Sequence, residues 1–310
     1  MTNIPIIIDA DPGIDDFFAI MLAKSCRDFE IKGITTVAGN QILEKTTQNA
    51  LQIATLLGID TRIGKGATGP IHRELEIAGN VHGENGLGGV RLPAAICELD
   101  KDYAWDVIYQ EAVKAKGRLK LIAVGPLTNV AIAILKYPDL HQYLDEIVMM
   151  GGSTGIGNHG AYGEFNIWVD PEAADIVFKA GIPLTMVGLN VTMATGITAE
   201  ELEDILAIEC KHSQEVTELF RFMQASYKKL GHDFVAIHDA LAVAYVMDKE
   251  VLSCKPYYVT IETRSTLNRG RTVVDLDNSH RDKVSNAKVA MEVHKDKFIE
   301  LLKNMFKYYN

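Results

Sequence analysis

Ile4-Pro-Ile-Ile-Ile-Asp-Ala-Asp-Pro-Gly-Ile-Asp-Asp16 joins an apolar run to a cluster of carboxylates. From Ile4 to Ala10 β-branched Ile dominates, the pattern of a strand buried on both faces. Pro12-Gly13 forces a turn. From Ile14 to Ser25 the residues Phe17, Phe18, Ile20, Met21 and Leu22 then take helical spacing. Strand, tight turn and helix form the repeating unit of parallel sheets.

The alternation continues. Glu30–Ala38, Leu119–Val124, Glu146–Met150 and Pro183–Leu189 read as strands. Leu43–Leu57, Leu127–Leu135 and Pro171–Ala180 read as helices between them. The expected fold is α/β: an open, mostly parallel twisted sheet with helices on both faces and right-handed crossovers, of Rossmann-like design. The last third changes character. Ala199–Lys229 is mostly helical, His238–Met247 is a short buried helix, and Lys297–Tyr308 is an amphipathic one. Tyr257–Thr263, Arg271–Asp275 and Lys288–His294 suggest a smaller antiparallel edge. No linker or low-complexity tract divides the chain, so residues 1–310 are expected to form a single domain. Gly64–Leu92 and Gly151–Val169 fit neither helix nor strand. Loops of that length in α/β proteins are usually functional and gather at the carboxyl ends of the strands.

Asp9, Asp11, Asp15 and Asp16 fall within eight residues. Carboxylates so close repel one another unless a cation neutralises some of them. Helix capping accounts for one of Asp15 or Asp16, worth about 0.3–1 kcal/mol, but not for four acids with two of them on or beside a buried strand. An all-oxygen set suits a hard ion such as Ca²⁺ or Mg²⁺ rather than zinc.

A net charge of −10 argues against nucleic acid and anionic membranes as partners. No apolar stretch approaches the roughly 18 residues of a membrane span, and the amino-terminal run does not resemble a signal peptide. Cys26, Cys97, Cys210 and Cys254 have no paired spacing and read as reduced thiols in a cytoplasmic protein. Asn190-Val-Thr192 is then a chance glycosylation sequon. Gly155-Ile-Gly-Asn-His-Gly160 has the spacing of a dinucleotide-binding loop, but no helical stripe follows it, so that reading fails. Met186 and Met193 read as core filler, Arg264–Arg281 as a solvated hairpin, and His72, His141, His159, His212, His280 and His294 as surface residues.

Asp9-Ala-Asp-Pro-Gly-Ile-Asp-Asp16 closely resembles the signature of the inosine–uridine-type nucleoside hydrolases. Val37-Ala-Gly-Asn40, His82-Gly-Glu-Asn-Gly-Leu87, Gly125-Pro-Leu-Thr-Asn129, Met149-Met-Gly-Gly152, Glu164-Phe-Asn166, Asp170-Pro-Glu-Ala-Ala174 and His238-Asp239 resemble further family segments, in the family's order. The bacterial pyrimidine-preferring members are the nearest in wording. The resemblance implies hydrolysis of ribonucleosides to free base and ribose. It implies one Ca²⁺ held by Asp11, Asp16, Asp239 and the main-chain oxygen of Val124, with Asp11 also the base that deprotonates a metal-bound water. Asp15, Asn40, Asn158, Glu164 and Asn166 would hold the ribose hydroxyls, with Met150 beside the sugar. His82, Phe165 and His238 would face the base, and His238 would protonate it as it leaves. The family's usual base-side aromatic positions fall by count on Ser226 or Leu230, with Tyr227 and His232 as the polar aromatic candidates nearby. Base preference is open between purine and pyrimidine, with pyrimidine or mixed favoured. The family forms homo-tetramers or dimers, and the same is expected here.

The chemistry suits these residue types. Cleaving an N-glycosidic bond builds positive charge on the ribose. Carboxylates and amides stabilise that charge, a cation lowers the pKa of its water, and His titrates near neutrality. Two alternatives remain. Haloacid-dehalogenase-type phosphohydrolases also carry Asp-x-Asp after a first strand, though not Pro12-Gly13 after it. A non-catalytic nucleoside-binding protein would keep the pocket without needing its base.

Overall fold

The computed structural model describes residues 3–280 and 282–310, with Asn80 described by its backbone alone. Six strands follow in chain order with crossovers between them: β1 (Ile4–Ala10), β2 (Phe29–Thr36), β3 (Arg62–Lys65), β4 (Leu119–Ala123), β5 (Leu144–Met150) and β6 (Leu184–Val187). A two-residue pair, β7 (Ile197–Thr198) and β8 (Phe234–Val235), comes next. It is followed by β9 (Leu252–Tyr257), β10 (Val259–Ile261), β11 (Thr272–Val274) and β12 (Ala287–Val293).

The main sheet has eight strands in the order β3-β2-β1-β4-β5-β6-β12-β9. All neighbours are parallel except β12 and β9, which make the antiparallel edge. The sheet runs outward from β1 through β2 to β3, then returns to β4 on its other side, so the strand order reverses between β1 and β4. Ligands of open α/β sheets bind beyond the carboxyl ends of the strands at such a reversal. The segments after β1, β2, β4 and β5 meet there.

Hydrophobic residues fill both faces. On one face Phe17, Phe18, Phe220, Phe298 and Phe306 pack around the helices Ile14–Ser25 and His238–Met247. On the other, Val107, Ile108, Val130, Ala173 and Val177 pack against Leu121, Ile147 and Met186. The first helix is nearly all buried, with eight consecutive residues inside from Asp16 to Ala23.

Several elements differ from expectation. The antiparallel edge is β9 and β12 only, because β10 and β11 form a separate two-stranded sheet. Ala199–Lys229 splits into Ala199–Leu206 and Ser213–Lys229. The helix Ala104–Ala115 and the strands β3 and β9 are additions to the expected set. The two long loops each contain one short helix, Gly79–His82 and Phe165–Val169.

Candidate active site

The acids after β1 are held by the turn that follows it. Asp16 accepts the Asp11 N–H at 3.2 Å and the Gly13 N–H at 2.8 Å, closing the first turn of the helix onto the strand end. Asn40, after β2, donates its N–H to Asp11 Oδ2 at 2.7 Å and its side-chain amide to Asp16 at 3.0 Å. Gly39 and Gly125 let the chain come this close. A Cβ on Gly39 would lie 2.2 Å from Asp11 Oδ2, and one on Gly125 2.7 Å from Asp11 Oδ1. Asp11 Oδ1 is buried and has no hydrogen-bond partner.

Asp239 arrives from the far end of the chain on the first turn of His238–Met247, which packs along the first helix. Ligand oxygens of Asp15, Asp16 and Asp239 lie within 4.8 Å of one another. The expected set named Asp11 where this group has Asp15. Asp11 stands beside the trio, and its carboxyl is raised well above the ordinary range by burial first and then by Asp16. Burial followed by Asp15 pushes Asp16 up to about 7, and Asp239 is raised by burial and then by Asp15, Asp16 and Asp11. Buried carboxylates that raise one another's pKa values want a positive charge among them. The unpartnered Asp11 oxygen fits a missing cation ligand.

Asp9 is not part of this group. It accepts from Thr35 Oγ1 at 2.6 Å and Asn129 Nδ2 at 2.8 Å, and Asn129 also receives the Ala67 N–H. Asp9 thus ties β1 to β2 and to the helix after β4.

The sugar-side candidates keep free hydrogen-bonding capacity. Asn166 donates both amide hydrogens, to Val124 O at 2.8 Å and Met150 O at 3.2 Å, leaving Oδ1 to accept. The Val124 oxygen expected on the metal is thus shared with Asn166, and a carbonyl's second lone pair remains. Glu164 caps the helix Phe165–Val169 and takes N–H groups from Gly152, Asn166 and Ile167. Of about four lone-pair sites on a carboxylate, one is left. Burial pushes its pKa up to about 7. Asn158 Oδ1 accepts the Phe165 N–H, which leaves its amide hydrogens free.

On the base side, His82 Nδ1 accepts the Ile14 N–H at 3.3 Å and lies 4.0 Å from Asp15. Burial lowers its pKa, so the neutral ring carries its proton on Nε2. His238 sits in a chain: Nδ1 is 2.8 Å from Thr192 Oγ1 and Nε2 is 2.8 Å from the Tyr227 hydroxyl. Burial lowers the pKa of His238 and raises that of Tyr227.

Most of these residues line one cavity of about 310 Å³; Asp9, Asp11, Asp16 and Thr192 are not among its lining residues. It brings together Asp15, Asn40, His82, Val124, Met150, Asn158, Glu164, Phe165, Asn166, Tyr227, His238 and Asp239. Ser226, Leu230 and His232, the alternatives to Tyr227, line it as well. No Lys or Arg is among the lining residues. The model of the "inosine-uridine preferring nucleoside hydrolase" family matches residues 6–300 of the chain.

The chain belongs to that family.

The hydrolase is similar over its length to curated relatives. The pyrimidine-specific ribonucleoside hydrolase RihA of Photobacterium profundum is 42% identical, over 96% of this chain and 97% of the relative. The enzyme of the same name from Salmonella paratyphi A is 40% identical over 99% of each. Among solved structures, a purine-preferring ribonucleoside hydrolase from Gardnerella vaginalis superposes with a TM-score of 0.92 at 32% identity, covering 98% of this chain and 99% of that one. The hydrolase is therefore an N-glycosyl hydrolase acting on ribonucleosides, and not a dehalogenase-type phosphohydrolase.

Three sequence expectations need correction around this site. His212 is 4% exposed, packed edge-on to Tyr309 rather than on the surface. Met193, read as core filler, lines the cavity, as does His159, whose side chain is 37% exposed as its surface reading expected. The run Arg264–Arg281 is not solvated throughout, since the Arg269 side chain is only 12% exposed; Arg281 lies outside the described residues. Sequence reasoning also missed Thr192, the inner end of the His238 chain. It belongs to the Asn190-Val-Thr192 triplet read as chance. Its Asn190 donates to Ala290 O at 2.8 Å, and its threonine is fully buried. The Gly155–Gly160 loop folds back on itself, with a bridge between His159 and Gly163, so no helix opens directly from it; the short helix Phe165–Val169 starts beyond the bridge.

Proposed function

We propose that this hydrolase cleaves pyrimidine ribonucleosides to the free base and ribose, using one Ca²⁺ and the carboxylate of Asp11. The observation that carries the reading is one cavity lined both by the acids Asp15, Glu164 and Asp239, next to the unpartnered Asp11 Oδ1, and by Tyr227 and His238 of a Thr192–His238–Tyr227 chain. The pyrimidine preference is supported by the relatives at about 40% identity over full length that are named pyrimidine-specific. The solved relative named purine-preferring is less similar, at 32%.

Asp11, Asp16, Asp239 and the Val124 carbonyl would hold the ion; all are oxygen donors, as a hard cation requires. Ca²⁺ bound there would lower the pKa of its water and hold it against the sugar. The chain's own residues do the rest. Asp11, hydrogen-bonded on one oxygen by Asn40, offers the other as a proton acceptor. Asp15, Asn40, Asn158, Glu164 and Asn166 orient the ribose hydroxyls and place negative or dipolar charge around a sugar that turns cationic. Met150 packs against the sugar, and Phe165 and His82 face the base.

Tyr227 and His238 supply a proton to the leaving base. The one tyrosyl hydrogen cannot serve both the Ala236 carbonyl at 3.2 Å and His238 at 2.8 Å. Either way the three side chains form a proton-conducting row ending at the cavity.

The same reading takes residues 1–310 as one domain, supported by a single sheet drawn from both ends of the chain. It takes the enzyme as cytoplasmic, supported by four free cysteines, and as a homodimer or homotetramer like the family it resembles. Its net charge of −10 supports a partner list without nucleic acid or membranes. Ribose release from uridine, cytidine, inosine and adenosine, each with and without a chelator restored by Ca²⁺, tests it. Release from inosine faster than from uridine would refute the pyrimidine preference. Full activity in chelator would refute the metal.

A further inference from the structure

Two loops line the cavity, and one carboxylate joins them. The segment from Ile71 to His82 supplies Ile77, Ala78, Val81 and His82 to the cavity wall. The segment from Asn158 to Asn166 supplies Asn158, His159, Glu164, Phe165 and Asn166 and runs directly into Trp168. Besides the Ile14 N–H bond to His82, the first segment is fastened at three places nearer its start. The Ile71 N–H donates to Asp170 at 2.9 Å, and Arg73 forks onto Glu172 at 2.7 and 3.0 Å. Both of these hold it to the start of the helix Pro171–Lys179.

The third fastening is different. Glu76 accepts from Arg269 Nη1 at 2.7 Å and from Trp168 Nε1 at 3.3 Å. His159 Nε2, from the other loop, lies 3.6 Å from the same carboxylate. The residue after Glu76 is Ile77, the first cavity-lining residue of its loop. Arg269 stacks its guanidinium on the Trp168 ring at 4.6 Å. Among the described residues its only other acceptor is Val169 O, at 3.4 Å, and its Nε is buried without a partner. Glu76 is thus the one strong acceptor for a largely buried cation. Its own side chain is 45% exposed, so the core does not depend on it for packing.

We propose that Glu76 is a positioning residue for nucleoside binding: it fixes the loop bearing His82 against the loop bearing Asn158 and Phe165, and so sets affinity rather than the rate of bond cleavage. This rests on the nucleoside hydrolase reading of the cavity. Asp11, Asp16, Asp239 and His238 sit on other elements and are not held by this contact. Losing it relaxes the cavity rim while leaving the reacting groups in place. Interactions made equally in the bound substrate and the transition state change KM and spare kcat.

The test is steady-state uridine hydrolysis by the wild-type enzyme and by Glu76→Ala, Glu76→Gln, Arg269→Ala and the double alanine variant, with melting temperatures. For Glu76→Ala we expect KM to rise about tenfold, the scale of one charge-assisted hydrogen bond, with kcat within about twofold and Tm lowered by a few degrees, because the largely buried Arg269 loses its strong acceptor. Glu76→Gln keeps an amide oxygen for Trp168 and Arg269, so its KM falls between. Arg269→Ala resembles Glu76→Ala, and the double variant is no worse than either single one, as partners in one interaction require. An unchanged KM in Glu76→Ala would overturn the role, as would a fall in kcat at constant KM, or losses that add in the double variant. Should Arg269→Ala fail to fold, the contrast of Glu76→Ala with Glu76→Gln still decides. Wild-type enzyme that releases no ribose from any nucleoside would instead remove the nucleoside reading, and this role with it.

Discussion

Truncating the Tyr227–His238 row makes the sharpest demand on the proposed chemistry. Tyr227→Phe removes one hydroxyl and keeps the ring. His238 Nε2 then loses the partner it holds at 2.8 Å and stays buried beside Thr192. An orphaned buried polar group costs about 1–3 kcal/mol, a Tm drop of several degrees for a chain of this size. The kinetic effect should be larger. General acid catalysis contributes about 10²–10⁴-fold, or roughly 3–5 kcal/mol of barrier at 1.36 kcal/mol per decade. With uridine, whose base is a poor leaving group, Tyr227→Phe and His238→Ala should each lose at least ~10² in kcat. The double variant should be no slower than the worse single one, because both break the same row. With p-nitrophenyl riboside, whose leaving group needs no proton, all three variants should stay within about threefold of wild type. Stopped or continuous assays of both substrates at pH 7.5 give the ratio directly. Equal losses on the two substrates would refute the row as the acid and leave it a structural element of the wall.

Asp11→Asn keeps an acceptor for the Asn40 N–H but removes the base, so kcat should fall at least ~10²-fold while calorimetry still detects Ca²⁺ binding; a near-normal rate would remove Asp11 from that role. Gly39→Ala would drive a Cβ to 2.2 Å from Asp11 Oδ2 and 2.9 Å from Pro126, costing about 1–3 kcal/mol of overpacking and most of the activity; a variant with wild-type kcat and Tm would show that the turn yields freely. Uridine 5′-monophosphate should be cleaved at under about 1% of the uridine rate, because an acidic cavity with no Lys or Arg among its described lining residues repels a dianion; comparable rates would contradict the cavity's electrostatics. Arg62 bonds Asp100 at 2.6 Å and holds its carboxyl down to about 2. A depressed folded pKa gives stability present above the ordinary carboxylate range and lost as pH falls toward 2. The Tm gap between wild type and Arg62→Ala should therefore be widest near pH 5 and narrow as the pH falls below about 4; a gap independent of pH would refute the linkage.

Much of this was legible because the first strand and helix carry their own punctuation. Ile4–Ala10, Pro12-Gly13 and Ile14–Ser25 appear in the structure where the pattern put them. The gathering of loops at the strand ends follows from the alternation alone. What escaped did so for identifiable reasons. The helix Ala104–Ala115 has its apolar stripe interrupted by Glu111, which is buried because Arg62 and Lys114 bind it. β3 is four residues with a glycine inside. β9 contains Pro256, which a strand tolerates at a sheet edge, where this one lies. Within the site, periodicity cannot say that Thr192 lies behind His238, since the two are 46 residues apart in sequence. Nor can it say that Arg269, on a charged stretch, is enclosed by Trp168 and Glu76. Those pairings are made by tertiary packing.

The place of β12 in the sheet has a consequence for synthesis. It lies between β6 and β9, yet follows both of them in the chain. While the chain is being made, β6 keeps one side open and β9 has no partner in the sheet until Ala287–Val293 has emerged. Open edges of this kind recruit other chains. A nascent chain, or a product cut short before Ala287, would already carry Asp11, Asp16, Asp239 and His238 and still be prone to aggregate, so the site's residues are complete before the sheet that supports them is closed.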